Sequence, residues 1–107
     1  TALHDSVRYK NLPVVKRLLQ AGAQVNTINE RGNTPLITAL ENRRSLIAQA
    51  LIKSGVHINV IPTKRQTPLD IARARSLPNV SRILLSKGAK TAEQIGSINV
   101  LNVKVLK

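Results

Sequence analysis

The stretch "GNTPLITAL", residues 32–40, sets a threonine, a proline and a leucine between a glycine-containing turn and an apolar run. Threonine followed by proline is a helix-start device. The Thr34 hydroxyl can accept from an orphan backbone N–H of the first helical turn. Pro35, at the first helical position, forfeits no hydrogen bond and pre-sets φ. A short helix then runs on through Leu36, Ala39 and Leu40. The cluster returns as "RQTPLDIA" (65–72), where Thr67 and Pro68 repeat the device, and opens the chain, altered, as "TALHDSV" (1–7).

The recurrence is periodic. Thr1, Thr34 and Thr67 are 33 apart, as are Leu3, Leu36 and Leu69, and Gly22, Gly55 and Gly88. Leu18, Leu51 and Leu84 keep the step, with their neighbours Leu19, Ile52 and Leu85, and so do Val14, Ile47 and Val80. Asn26 and Asn59 form a further pair. Three cycles without an insertion point to a stacked array. Within the middle cycle a second helix carries Leu46, Ile47, Ala50, Leu51 and Ile52 on one side at helical spacing. Pro13 and Pro78 fall in its first turn in the other cycles, and Gly55 ends it as a left-handed cap. Small Ala39 and Ala72 predict close approach of neighbouring helices. Helices are expected over 2–9, 13–21, 35–42, 46–54, 68–75 and 79–87. Residues 56–66 are too polar and interrupted for helix and are expected to run as an extended turn or hairpin. One such unit cannot bury both of its helices alone, so the three must stack. The fold class is therefore an all-α repeat solenoid, with units at 1–33, 34–66 and 67–97.

The 107 residues suffice for one small domain. There is no Phe, Trp or Met, and Tyr9 is the only aromatic, so aliphatic side chains and alanine must fill the core. The absence of Cys excludes disulfides and thiolate zinc sites, and fits a reducing cytoplasm and a bacterial periplasm equally. No apolar run approaches the roughly 18 residues of a membrane span. The chain lacks an initiator Met and a signal-peptide pattern, which is expected of a mature form or an excised piece. The net charge of +12, from 17 Lys+Arg against 5 Asp+Glu, favours an acidic partner.

At this level of detail the chain resembles the ankyrin repeats. The resemblance is carried by "TALHDSV…RLLQAGAQVN", "TPLITAL…ALIKSGVHIN" and "TPLDIAR…ILLSKGAKT", and covers about residues 1–95. The departures are informative. Lys10, Arg43 and Ser76 replace the glycine expected between the two helices of a repeat. The helix-start histidine stands only as His4, with Ile37 and Asp70 in the other cycles, and Arg65 replaces the turn glycine present as Gly32. A non-glycine residue in the left-handed region costs on the order of 1 kcal/mol, so the array is expected to be less stable than an idealised one. "GAKTAEQIG" resembles the close of an array, with Thr91 as the N-cap of a last short turn.

No catalytic constellation is assembled. His4, Asp5 and Ser6 are adjacent in sequence and diverge around a helix, so they make no nucleophilic triad. His57 stands alone in a loop. No pair among Asp5, Glu30, Glu41, Asp70 and Glu93 has metal-ligand or acid–base spacing. The glycines make no phosphate-binding fingerprint. The sequence implies neither an enzyme nor a cofactor or metal.

Binding is the class that remains. The resemblance implies contact positions at the hairpin tips and on the exposed side of each first helix, facing a concave surface. Mapped by phase, the tips supply Ile28, Glu30, Arg31 and Asn33, then Ile61, Thr63, Lys64 and Gln66. The helix surface supplies Arg8, Tyr9, Glu41, Asn42, Ala74 and Arg75, with Tyr9, Asn42 and Arg75 again 33 apart and expected to form one row. Tyr and Arg are enriched among interface hot spots. Ile28 and Ile61 either face a partner or tuck between neighbouring hairpins. The contact positions hold Arg8, Arg31, Lys64 and Arg75 against Glu30 and Glu41, a net of only +2. Most of the remaining excess falls on the inter-helix loops and second helices, as Lys10, Lys16, Arg43, Arg44, Lys53, Arg82 and Lys87. Charge spread in this way, with no aromatic stacking platform, leaves nucleic acid or another polyanion as the runner-up partner. The expected partner of a monomeric free chain is another protein with an acidic surface, which the chain either masks, as an inhibitor of a toxin or hydrolase, or recruits as a scaffold.

The apolar tail "INVLNVKVLK" (98–107) departs from the repeat. It is expected to cover the exposed end of the last repeat, the alternative being a strand that pairs with a partner's sheet edge.

Overall fold

The structure, a computed structural model, describes residues 1–59 and 66–95. These form six helices: α1 (Ala2–Arg8), α2 (Leu12–Gln20), α3 (Pro35–Glu41), α4 (Ser45–Lys53), α5 (Pro68–Ala74) and α6 (Pro78–Ser86). A short helical turn follows at 92–95, and no strand occurs among the described residues. Each helix ends one residue before the periodicity predicts, because that residue is the C-cap.

The threonines cap as their positions predict. Thr1, Thr34 and Thr67 accept from the backbone N–H of His4, Ile37 and Asp70. At Thr67 the cap is reciprocal, with Asp70 Oδ2 accepting from the Thr67 N–H at 3.1 Å. Thr91 caps the closing turn in the same way, accepting from Gln94 N–H at 3.1 Å while Gln94 Oε1 accepts from its own N–H at 2.8 Å.

The helices pack in two layers. The first helices α1, α3 and α5 stack side by side, the second helices α2, α4 and α6 do the same, and each first helix lies against its own second helix. One continuous aliphatic core fills the space between the layers. Leu36, Leu40, Ile47, Leu51, Leu69 and Leu84 are fully buried, each contributing about 1.5–3 kcal/mol of transfer free energy. Ala39 and Ala72 are completely buried too, at the close approach that small side chains permit. The middle repeat is covered on both sides, so six of the seven residues of α3 are buried. In α4 the inward stripe is Ile47, Ala48, Leu51 and Ile52. Leu46 is 67% exposed and Ala50 only half-buried, contrary to the stripe expected from spacing. The stripe is turned toward Ala48 because α4 must meet α3 within its repeat and both α2 and α6 alongside.

Side-chain bonds between loops reinforce the stacking. Asn26 Oδ1 accepts from His57 N–H and Asn59 Oδ1 from Lys90 N–H, both at 2.8 Å. These are the two asparagines that keep the repeat phase, and each ties its loop to the next. His4 Nε2 donates to the Asn33 carbonyl at 2.9 Å, and Nδ1 lies 2.7 Å from Thr1 Oγ1. Two cycles on, Asp70 does the equivalent work, its Oδ2 accepting from Ala92 N–H at 2.8 Å.

Candidate functional site

The row predicted from sequence spacing has a definite structural identity. Tyr9, Asn42 and Arg75 are the C-caps of α1, α3 and α5. They stand at the same end of three stacked helices, and the chain then turns sharply into the second layer. Tyr9 is 76% exposed.

Beside this row lies a hollow of about 460 Å³. Its walls come from all three repeats. Arg8 is the last residue of α1, Thr38 and Glu41 belong to α3, Asn42 caps α3 and Arg75 caps α5. The remaining wall is the loop between the first two repeats, through Asn29, Arg31 and Asn33. That loop is folded by its own side chains. Asn29 Oδ1 accepts from the N–H of Arg31 at 2.9 Å and of Asn33 at 3.0 Å, and Gly32, at φ 78°, completes the turn. Asn33 Nδ2 donates to Glu41 Oε1 at 3.2 Å, tying loop to helix. Arg44 Nη2 donates to the Arg8 carbonyl at 3.1 Å and pins the end of α1 to the next repeat.

The polar groups of the hollow fall into two kinds. Asn29, Asn33 and Asn42 have structural bonds, Asn42 Nδ2 donating to the Thr38 carbonyl at 2.8 Å. Thr38 is only 5% exposed, and its hydroxyl has no hydrogen-bond partner among the described residues. An unpaired buried hydroxyl costs on the order of 1–3 kcal/mol.

Of the residues selected from sequence, Arg8, Arg31, Asn33, Glu41, Asn42 and Arg75 converge on this hollow. Gln66 joins Glu41 and Arg75 at a smaller one of about 200 Å³, beside Ile71 and Ala74. Glu30 is exposed, and Ile28 is 67% exposed. Ile61, Thr63 and Lys64, like the tail at 98–107, lie outside the described residues. Sequence reasoning missed Thr38 and Asn29. Thr38 sits inside an apolar helix, in phase with Asp5 and Ile71, and nothing in its spacing distinguishes it. Asn29, two residues before Arg31 and four before Asn33, carries a recognisable Asx-turn signal.

Among the described residues no group of His, Asp or Glu could hold a metal ion, and no helix is long and apolar enough to cross a membrane. A family model for ankyrin repeats, in three copies, matches residues 1–95. Among solved structures, the chain is similar to an ankyrin repeat domain from Acinetobacter baumannii AYE, with a TM-score of 0.79 and 32% sequence identity. The match covers 84% of this chain and 48% of that one, so this chain spans about half the length of that relative. No curated protein matches.

Proposed function

Since the chain belongs to the ankyrin-repeat family, a family of protein-interaction modules, we propose that it captures a protein partner with an acidic surface through the face that carries the Tyr9–Asn42–Arg75 row and the neighbouring hollow. The observation that carries this reading is the hollow itself, where Arg8 and Arg31 of the first repeat and Arg75 of the third gather beside the carboxylate of Glu41. Tyr9 supplies a rigid exposed ring beside it at little entropic cost. Lys16, Arg17, Lys53, Arg82 and Lys87 stand exposed on or beside the second helices, and their role is to steer an acidic partner toward encounter. The chain performs no chemistry in this reading; it acts by occupying its partner's surface.

The test is a pull-down with mass spectrometry, followed by affinity measurement on the captured partner. Tyr9→Ala and Arg75→Ala should each weaken binding by more than about 1 kcal/mol. Lys16→Ala and Arg82→Ala should change mainly the association rate and its salt dependence. The reverse order would move the partner to the second-helix face. A single toxin or hydrolase that loses activity on capture would identify an inhibitor; several unrelated partners with unchanged activity would identify a scaffold.

A further inference from the structure

We propose that the hollow over Thr38 is a receptor for a carboxylate side chain of the partner's acidic segment, held by the guanidinium groups of Arg8, Arg31 and Arg75 above the Thr38 hydroxyl. This rests on the reading of the same face as a protein-binding surface and names the chemistry it selects.

Two independent observations meet here. The first is charge. Three arginines line the hollow, and no hydrogen bond among the described residues uses the guanidinium of any of them. Arginine presents a planar donor fork that matches a carboxylate in a bidentate fashion. The second is the hydroxyl. Thr38 is a buried residue of the lining, its backbone carbonyl already taken by Asn42, yet Oγ1 has no hydrogen-bond partner among the described residues. A buried hydroxyl left unpaired calls for an explanation, and a ligand seated in the hollow supplies one.

The position also explains why three cations are needed. The hollow lies at the C-terminal ends of α1, α3 and α5, where the helix dipole disfavours an anion. Part of that field is already answered, because the last carbonyls accept from the turns that follow: Val7 from Lys10, Leu40 from Arg43, Arg73 from Ser76. The guanidiniums overcome the remainder. The backbone that carries two of them is held, the end of α1 by Arg44 and that of Arg31 by the Asn29 turn.

The experiment measures fluorescence anisotropy of a fluorescein-labelled octaglutamate peptide, with a single-stranded oligonucleotide of equal length as comparison. Arg8→Gln, Arg31→Gln and Arg75→Gln should each weaken the peptide about fivefold or more, and Arg82→Gln less than about twofold. Thr38→Val should weaken the peptide about threefold while leaving the melting temperature equal or higher, since it removes an unpaired polar group from the free protein. A hydroxyl with only a structural role would lower the melting temperature and leave peptide affinity alone, which would overturn the proposal. So would peptide binding indifferent to the three arginines, or binding of the oligonucleotide that depends on those arginines and is tighter than that of the peptide. These failures are distinguishable from failure of the protein-capture reading. If the pull-down partner depends on Tyr9 while the peptide ignores the hollow, only the carboxylate receptor falls. If the peptide behaves as expected but no protein is captured, only the capture reading falls.

Discussion

Each repeat turns twice, and in the first and third repeats the two turns are built from the same hydrogen bonds but hold different backbones, while in the middle repeat Gly55 N–H bonds back to the Ile52 carbonyl. Between the helices, Lys10 N–H bonds to the Val7 carbonyl and Asn11 N–H to that of Ser6, and the pattern recurs at Arg43–Arg44 and Ser76–Leu77. After the second helix, Gly22 and Ala23 bond back to Leu19 and Leu18, and Gly88 and Ala89 to Leu85 and Leu84. Both are Schellman closures. The first turn puts φ at 58°, 55° and 56° for Lys10, Arg43 and Ser76, at the centre of the left-handed well. The second puts φ at 81°, 88° and 86° for Gly22, Gly55 and Gly88, beyond that well for any residue with a Cβ. The difference teaches why glycine was dropped from one turn and kept in the other. The dispensable glycine lies in the turn directly after Tyr9, Asn42 and Arg75. Side chains, two of them cationic, thus stand next to the candidate binding row at a moderate conformational cost.

Substitutions at three positions can break or sharpen this distinction, read by chemical denaturation. Gly55→Ala should destabilise by about 1–2 kcal/mol. An added Cβ there would meet nothing within 4 Å, so the loss is torsional rather than steric. An unchanged midpoint would mean the turn relaxes toward φ near 57° and the two turns are interchangeable. Thr34→Ala serves as the reference outside both turns, and loss of its cap should cost about 1 kcal/mol. An equal loss from Thr34→Ser, which keeps the hydroxyl, would show that the cap bond is not the cause. The smallest effect should come from Arg43→Gly, a gain of about 0.5 kcal/mol, as relief of left-handed strain is partly offset by the greater freedom of glycine in the unfolded chain. A loss instead would show that the Arg43 side chain contributes contacts that outweigh its backbone strain.

Much of the architecture was legible because its devices are local. A threonine cap, a proline at the first helical position and a glycine past the helix end each act within one turn, so their spacing reads directly as helix starts and stops. Repetition at 33 residues then fixes which residues share a row, and Tyr9, Asn42 and Arg75 follow from that count alone. Which side of a second helix faces inward was less legible. Leu46 and Ala48 are both compatible with a helical stripe, and only contact with three neighbouring helices selects Ala48.

The sequence by itself determined the repeat, its phase, its caps and its positive charge, since these depend on short-range geometry and composition. The tertiary structure alone decided that Arg8, Arg31 and Arg75 surround one hollow and that the buried Thr38 hydroxyl has no partner among the described residues. The reason is physical. The first and last of these arginines are two full repeats apart in the chain. They meet only because stacking brings the ends of α1, α3 and α5 together and the Asn29 turn folds Arg31 across the gap.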